Sequence, residues 1–167
     1  MAKHSIYARH QNISPGDRLS IPIIKKSAIA ALLIENADIP CEVNILITDD
    51  ETMRGLNKQY RGIDEPTDVL SFPMYESEKA GWAGLDIDEA DYETGRVHLG
   101  NIIISAQRVA AQALEYDQSR DQETAYLIVH SVLHLLGYDH IDEAEQKKHM
   151  RDREKAIMKA LGFEDME

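Results

Sequence analysis

The segment that most restricts the fold is the longest stretch without a charged side chain, Thr124 to Tyr138 (T-A-Y-L-I-V-H-S-V-L-H-L-L-G-Y). Leu127, Ile128, Val129, Val132, Leu133, Leu135 and Leu136 occupy so much of a helical circumference that this helix must be buried on most of its sides. It falls short of the ~20 apolar residues that a membrane span requires. The remaining segments must therefore build a core around it.

Their patterning supplies that core. Ser5 to Gln11 alternates in character and predicts a first strand, closed by Asn12, Ser14, Pro15 and Gly16. Pro22 suits the first turn of a helix that runs to about Asn36. Glu42 to Thr48 is predicted as a strand with Val43, Ile45 and Ile47 on one face. Asp49, Asp50 and Glu51 then open a second helix that reaches about Tyr60, because its macrodipole favours acids at the start. Strands follow at Thr67 to Phe72 and at Val97 to Ile104. Ser105 caps a third helix ending near Asp117, a fourth spans about Arg120 to Leu136, and a fifth spans about Glu143 to Leu161 before Gly162. The order β-α-β-α-β-β-α-α-α predicts an α+β fold, with a four-stranded mixed sheet packed with about five helices. At ~150 residues per domain, residues 1–167 are expected to form a single domain without a linker.

Charge and cysteine content narrow the setting. With 18 Lys and Arg against 30 Asp and Glu, the net charge is −12. Seven of the acids and one base, Lys79, lie between Glu76 and Glu93, so residues 76–95 are predicted to be an acidic surface loop. Global charge speaks against nucleic acid, but local charge beside the chemistry decides the partner. Arg54, Lys58 and Arg61 recur at helical spacing and predict a basic ridge. The single cysteine, Cys41, excludes an internal disulfide and a multi-cysteine zinc site. No apolar leader or membrane span is visible at the sequence level, and a cytoplasmic location is expected.

The chemistry concentrates in His130 to His140 (H-S-V-L-H-L-L-G-Y-D-H). His130 and His134 are four apart, which places both imidazoles on one helical face. Gly137 can end the helix and return the chain, so that His140 reaches the same ion. Three imidazoles suit one zinc ion with an open position for water, and a zinc site is expected at the end of the buried helix. Asp139 is a candidate partner for a ligand or for proton transfer. The spacing H-x-x-x-H-x-x-G-x-x-H is also that of metzincin peptidases, but their general-base glutamate is replaced here by Ser131. His98 reads as structural, and His4, His10 and His149 read as surface residues.

This segment, together with Y-R-G-I-D-E-P-T-D-V-L-S-F-P (Tyr60 to Pro73) and L-G-N-I-I-I-S (Leu99 to Ser105), resembles the YbeY family of bacterial endoribonucleases over roughly Val43 to Gly162. The resemblance implies a zinc-dependent, single-strand-specific endoribonuclease acting in 3′-end maturation of small-subunit ribosomal RNA and in ribosome quality control. It implies His130, His134 and His140 as zinc ligands and Arg61 as the catalytic arginine. Ribosomal proteins or an assembly GTPase are implied as partners. Arg61 offers a planar fork of donors for phosphoryl oxygens, and Thr67, Asp68 and Ser71 on the following strand are expected to wall the cleft, with Asp68 a candidate to orient Arg61. Asn101 stands where the family commonly has Asp, so it can hydrogen-bond at that position but not exchange a proton. Two other readings remain open at this point: a metzincin-like hydrolase or peptidase, and a non-catalytic ribosome assembly factor holding a structural metal.

Overall fold

A computed structural model describes residues 3–88, 95–138 and 144–163. Its strands are β1 (Ser5–His10), β2 (Cys41–Thr48), β3 (Val69–Pro73) and β4 (Val97–Ser105). Its helices are α1 (Ile21–Ile34), α2 (Asp50–Arg61), α3 (Ala106–Glu115), α4 (Arg120–Leu135) and α5 (Ala144–Ala160). The starts of α1 to α4 are set by capping side chains. Ser20, Asp49, Ser105 and Ser119 accept from the backbone N–H groups of Ile23, Thr52, Arg108 and Gln122, so each pairs a donor that the first helical turn would leave bare.

The four strands form one sheet in the order β1-β2-β4-β3. β1, β2 and β4 are mutually parallel, and β3 runs antiparallel to β4 at the edge. The α+β class with a four-stranded mixed sheet and five helices is thus the observed architecture. Ile6, Val43, Ile45, Ile47, Ile102 and Ile104 turn to one face and are buried there with residues of α1 and α4. Tyr7, Arg9, Asn44 and Asn101 lie on the opposite face, where Tyr60 of α2 packs edge-on against Phe72. No helix among the described residues is long and apolar enough to cross a membrane.

Gly100 lets α4 approach the sheet. It follows a register shift between β2 and β4, and its φ is 150°. A Cβ there would collide with the Phe72 carbonyl oxygen and lie 2.9 Å from Leu135 Cδ2 on α4. His4 departs from the surface position expected of it. It is buried, and its Nδ1 accepts from the Cys41 N–H at 3.0 Å, joining the approach to β1 with the start of β2. Of the acidic stretch, residues 76–88 lie within the described chain. It contains a short 3₁₀ turn at Trp82–Gly84 and a bridge between Ser77 and Leu85, and Trp82 donates from Nε1 to Asp38 at 2.8 Å. Residues 89–94 lie outside the described residues.

Two stability outcomes follow. Gly100→Ala should destabilise the fold by about 2–4 kcal/mol, through strain and through displacement of α4. An unchanged urea midpoint would contradict this packing. Burial holds the His4 imidazole below its ordinary pKa. The unfolded chain then binds a proton near pH ~6.5 that the folded chain does not, so the His4 contribution is complete above that pH and is lost as pH falls below it. His4→Phe should therefore show a shallower loss of stability than the parent between about pH 6.5 and pH 5. Parallel curves would refute the assignment.

Candidate active site

α4 is covered on nearly every side. From Glu123 to Tyr138, the residues that keep solvent access are Tyr126, His130, His134 and Gly137, a single stripe of helical period along an otherwise buried rod. Burying the seven aliphatic side chains between Leu127 and Leu136 is worth on the order of 10–20 kcal/mol and fixes the helix rotation. The stripe ends in a Schellman turn. Gly137, at φ 91°, donates to the His134 carbonyl, and Tyr138 donates to the Leu133 carbonyl, each at 3.0 Å.

Both imidazoles are tethered from behind. His130 Nδ1 lies 2.5 Å from the Glu154 carboxylate, and His134 Nδ1 lies 2.9 Å from the Tyr138 carbonyl oxygen. Since a carboxylate and a carbonyl accept, each Nδ1 is the donor. The two Nε2 atoms lie 3.0 Å apart.

The expectation of a zinc site at the end of this helix is corrected. Among the described residues, no group of three or more His, Cys, Asp or Glu side chains is placed to hold a metal ion. His130 and His134 bring two donors together, whereas the nearby Glu154 engages the Nδ1 side of His130, away from the Nε2 pair. His140 and Asp139 lie outside the described residues. The described donor set therefore does not fit a zinc cofactor, and the zinc-dependent mechanism is not carried forward.

A cleft of about 690 Å³ separates α4 from edge strand β3 and from the end of α2. Arg61, Thr67, Asp68, Ser71, His130 and His134 all line it. Arg61 is the last residue of α2, and its Nη1 lies 3.4 Å from Asn57 Oδ1. Asn57 is buried and donates from Nδ2 to the Glu65 carbonyl at 2.8 Å, so one amide holds both the arginine and the turn after it. Arg54 does not contribute to a free basic ridge. Its guanidinium grips Asp64 through two hydrogen bonds of 2.8 and 3.2 Å, closing the same turn. Asp68 accepts from the Val69 N–H at 2.8 Å and caps the start of β3. Asn101 lies elsewhere, on the opposite face of the sheet, paired with Asn44 Nδ2 at 3.3 Å.

Sequence reasoning missed the supports of this site. Glu154 comes from α5 and receives hydrogen bonds from His130 and Tyr126. Burial, with the nearby Glu154 charge, pushes the Tyr126 hydroxyl well above the usual tyrosine range. Tyr138 donates its hydroxyl to Glu35, at the end of α1, and Arg153 Nε binds the second oxygen of that carboxylate at 2.7 Å. Burial, with the hydrogen bond to Glu35, likewise raises the Tyr138 hydroxyl. The carbonyl that orients His134 is thereby anchored to α1 and α5. Residues 24 or more positions away supply these contacts, and no local pattern announces them.

The fold and cleft define an α+β protein whose guanidinium and paired imidazoles share one opening, a set of groups suited to an anionic ester. The family model described as Endoribonuclease YbeY matches residues 9–162. The chain is 47% identical over 138 residues to an Endoribonuclease YbeY of Agathobacter rectalis, covering 80% of this chain and 83% of that protein. It is 40% identical over 156 residues to an Endoribonuclease YbeY of Clostridium kluyveri, covering 90% and 94% respectively. The solution structure of TM1509 from Thermotoga maritima shares the fold, with a TM-score of 0.53 and 24% identity over 96% of this chain and 97% of that one. The chain belongs to the YbeY endoribonuclease family.

The tether on His130 is testable by imidazole nitrogen NMR. In the parent protein the neutral ring should carry its proton on Nδ1. Glu154→Leu should release the ring into a tautomer mixture, and Glu154→Gln, which keeps an accepting oxygen, should restore the parent pattern. An unchanged tautomer in Glu154→Leu would refute the tether.

Proposed function

We propose that this chain cleaves RNA phosphodiester bonds in the cleft between α4, β3 and the end of α2, and that its substrate is ribosomal RNA, the small-subunit RNA in particular. Family membership supports the RNA-processing role. The observation that carries the site assignment is that Arg61 and the two tethered imidazoles line one opening. Engagement with ribosomal proteins or an assembly GTPase, and a cytoplasmic location, belong to the same reading.

The residues have separable tasks. Negative charge grows on the nonbridging oxygens as phosphorus is attacked, and the Arg61 fork can bind two of them. Asn57 limits the directions that fork can take. The attacking oxygen must lose a proton and the leaving oxygen must gain one. The imidazoles of His130 and His134 line the cleft where that proton would be accepted and returned. A peptidase reading has no support here, since Ser131, in the position of the metzincin base, is fully buried on the packed side of α4.

Cleavage of ribosomal RNA fragments by the parent, Arg61→Ala and Arg61→Lys proteins tests this reading. Arg61→Ala should lower kcat/KM by about 10²–10³, with an unchanged melting temperature because the side chain is exposed. Arg61→Lys should recover only part of the loss, because it lacks the fork. Equal cleavage by all three preparations would overturn the assignment.

A further inference from the structure

α5 carries six bases, Lys147, Lys148, Arg151, Arg153, Lys155 and Lys159, against three acids, Glu145, Asp152 and Glu154. It is a basic helix in a chain of net charge −12. Two of its acids are engaged locally: Glu154 binds His130 and lies 3.5 Å from Arg151 Nη1, and Asp152 receives Lys148 at 3.0 Å. A second groove of about 530 Å³ runs between α4 and α5, lined by Lys147, Lys148 and Arg151 on one side and by Tyr126 and His130 on the other. The Arg151 guanidinium lies 5.9 Å from the centre of the half-buried Tyr126 ring. His130 also lines the cleft that holds Arg61, so the two hollows meet at one imidazole.

We propose that this α5 groove is a binding subsite for the RNA strand flanking the bond cut in the cleft. Lys147, Lys148 and Arg151 meet its phosphates, and Tyr126 offers a ring against which a base can stack. The proposal rests on the reading of the cleft as an RNA-cleaving site. Three chemical features converge on it. Cations concentrate on this wall of an acidic protein, where a polyanion gains most. An aromatic ring, Tyr126, lines the same groove as these cations and His130, the combination that single-stranded nucleic acid uses. The groove also continues the cleft through His130, so one strand can occupy both. The sheet face around Asn101 shares no lining residue with the cleft.

The test measures binding, so that it stands apart from catalysis. A fluorescent 12-nucleotide single-stranded RNA with 2′-methoxy groups, which block attack by its own hydroxyls, is titrated by anisotropy at several salt concentrations. The proteins are the parent, a double variant Lys147→Ala and Lys148→Ala, and a second double variant Lys155→Ala and Lys159→Ala. Both variants remove two exposed charges from the same helix, but only the first alters the groove. The groove variant should bind about tenfold more weakly, and the slope of log affinity against log salt should fall by about 1.4, the value for two lost phosphate contacts on a single strand. The second variant should match the parent in both. Equal weakening by both variants would reduce the effect to overall charge, and no change in either would leave the groove without RNA; either result overturns the proposal. If the groove variant alone weakens while the parent cleaves no RNA, the subsite stands and the cleavage reading fails instead.

Discussion

The structure depends on the burial of α4. A helix enclosed on nearly all sides cannot roll, because rotation would carry Leu127, Ile128 or Leu135 into water and bring an imidazole into the core. The solvent-accessible stripe of Tyr126, His130, His134 and Gly137 is therefore a consequence of packing as much as of chemistry. Gly100 completes the constraint from the sheet side, where the absence of a side chain admits Leu135. Rigid placement of the two rings follows from hydrophobic contacts that never touch a substrate.

Around this fixed stripe, other elements supply direction. Glu154 and the Tyr138 carbonyl accept hydrogen bonds from the two Nδ1 atoms and orient both rings that line the cleft. Edge strand β3 leaves the opposite wall open, and α2 ends there in Arg61, steered by the buried Asn57. Charge is distributed on the same plan. The negative balance of the chain is concentrated partly at Glu76 to Glu93, while α5 carries a positive balance beside His130. An acidic protein can in this way present a locally cationic path to a polyanion.

Much of this was legible from the sequence because its signals are local. Alternation in Glu42 to Thr48, the capping serine Ser105 and the apolar run around His130 each specify an element within a few residues of its observed bounds. The i, i+4 spacing of His130 and His134 specified a shared face. The features that were not legible depend on tertiary contacts. Glu154 looks like any acid on a charged helix until α5 packs against α4. Glu35 becomes an anchor only when Tyr138, 103 positions on, reaches it. Arg54 and Arg61 carry the same helical signal, yet Asp64 engages one of them. Asn101, close to the cleft residues in motif order, faces the other side of the sheet because strand side chains alternate. The zinc expectation rested on His130, His134 and His140 together; His140 lies outside the described residues, which group only the first two.

The central claim is that a phosphodiester lies between Arg61 and the paired imidazoles. Side-chain NMR during titration with a short non-cleavable RNA reads that contact directly, through the guanidinium Nε of Arg61 and the imidazole nitrogens of His130 and His134. The expected result is a common saturation curve for all three residues, with Tyr7, Asn44 and Asn101 on the open sheet face unmoved. Saturable shifts confined to the sheet face, with the cleft residues silent, would contradict the claim.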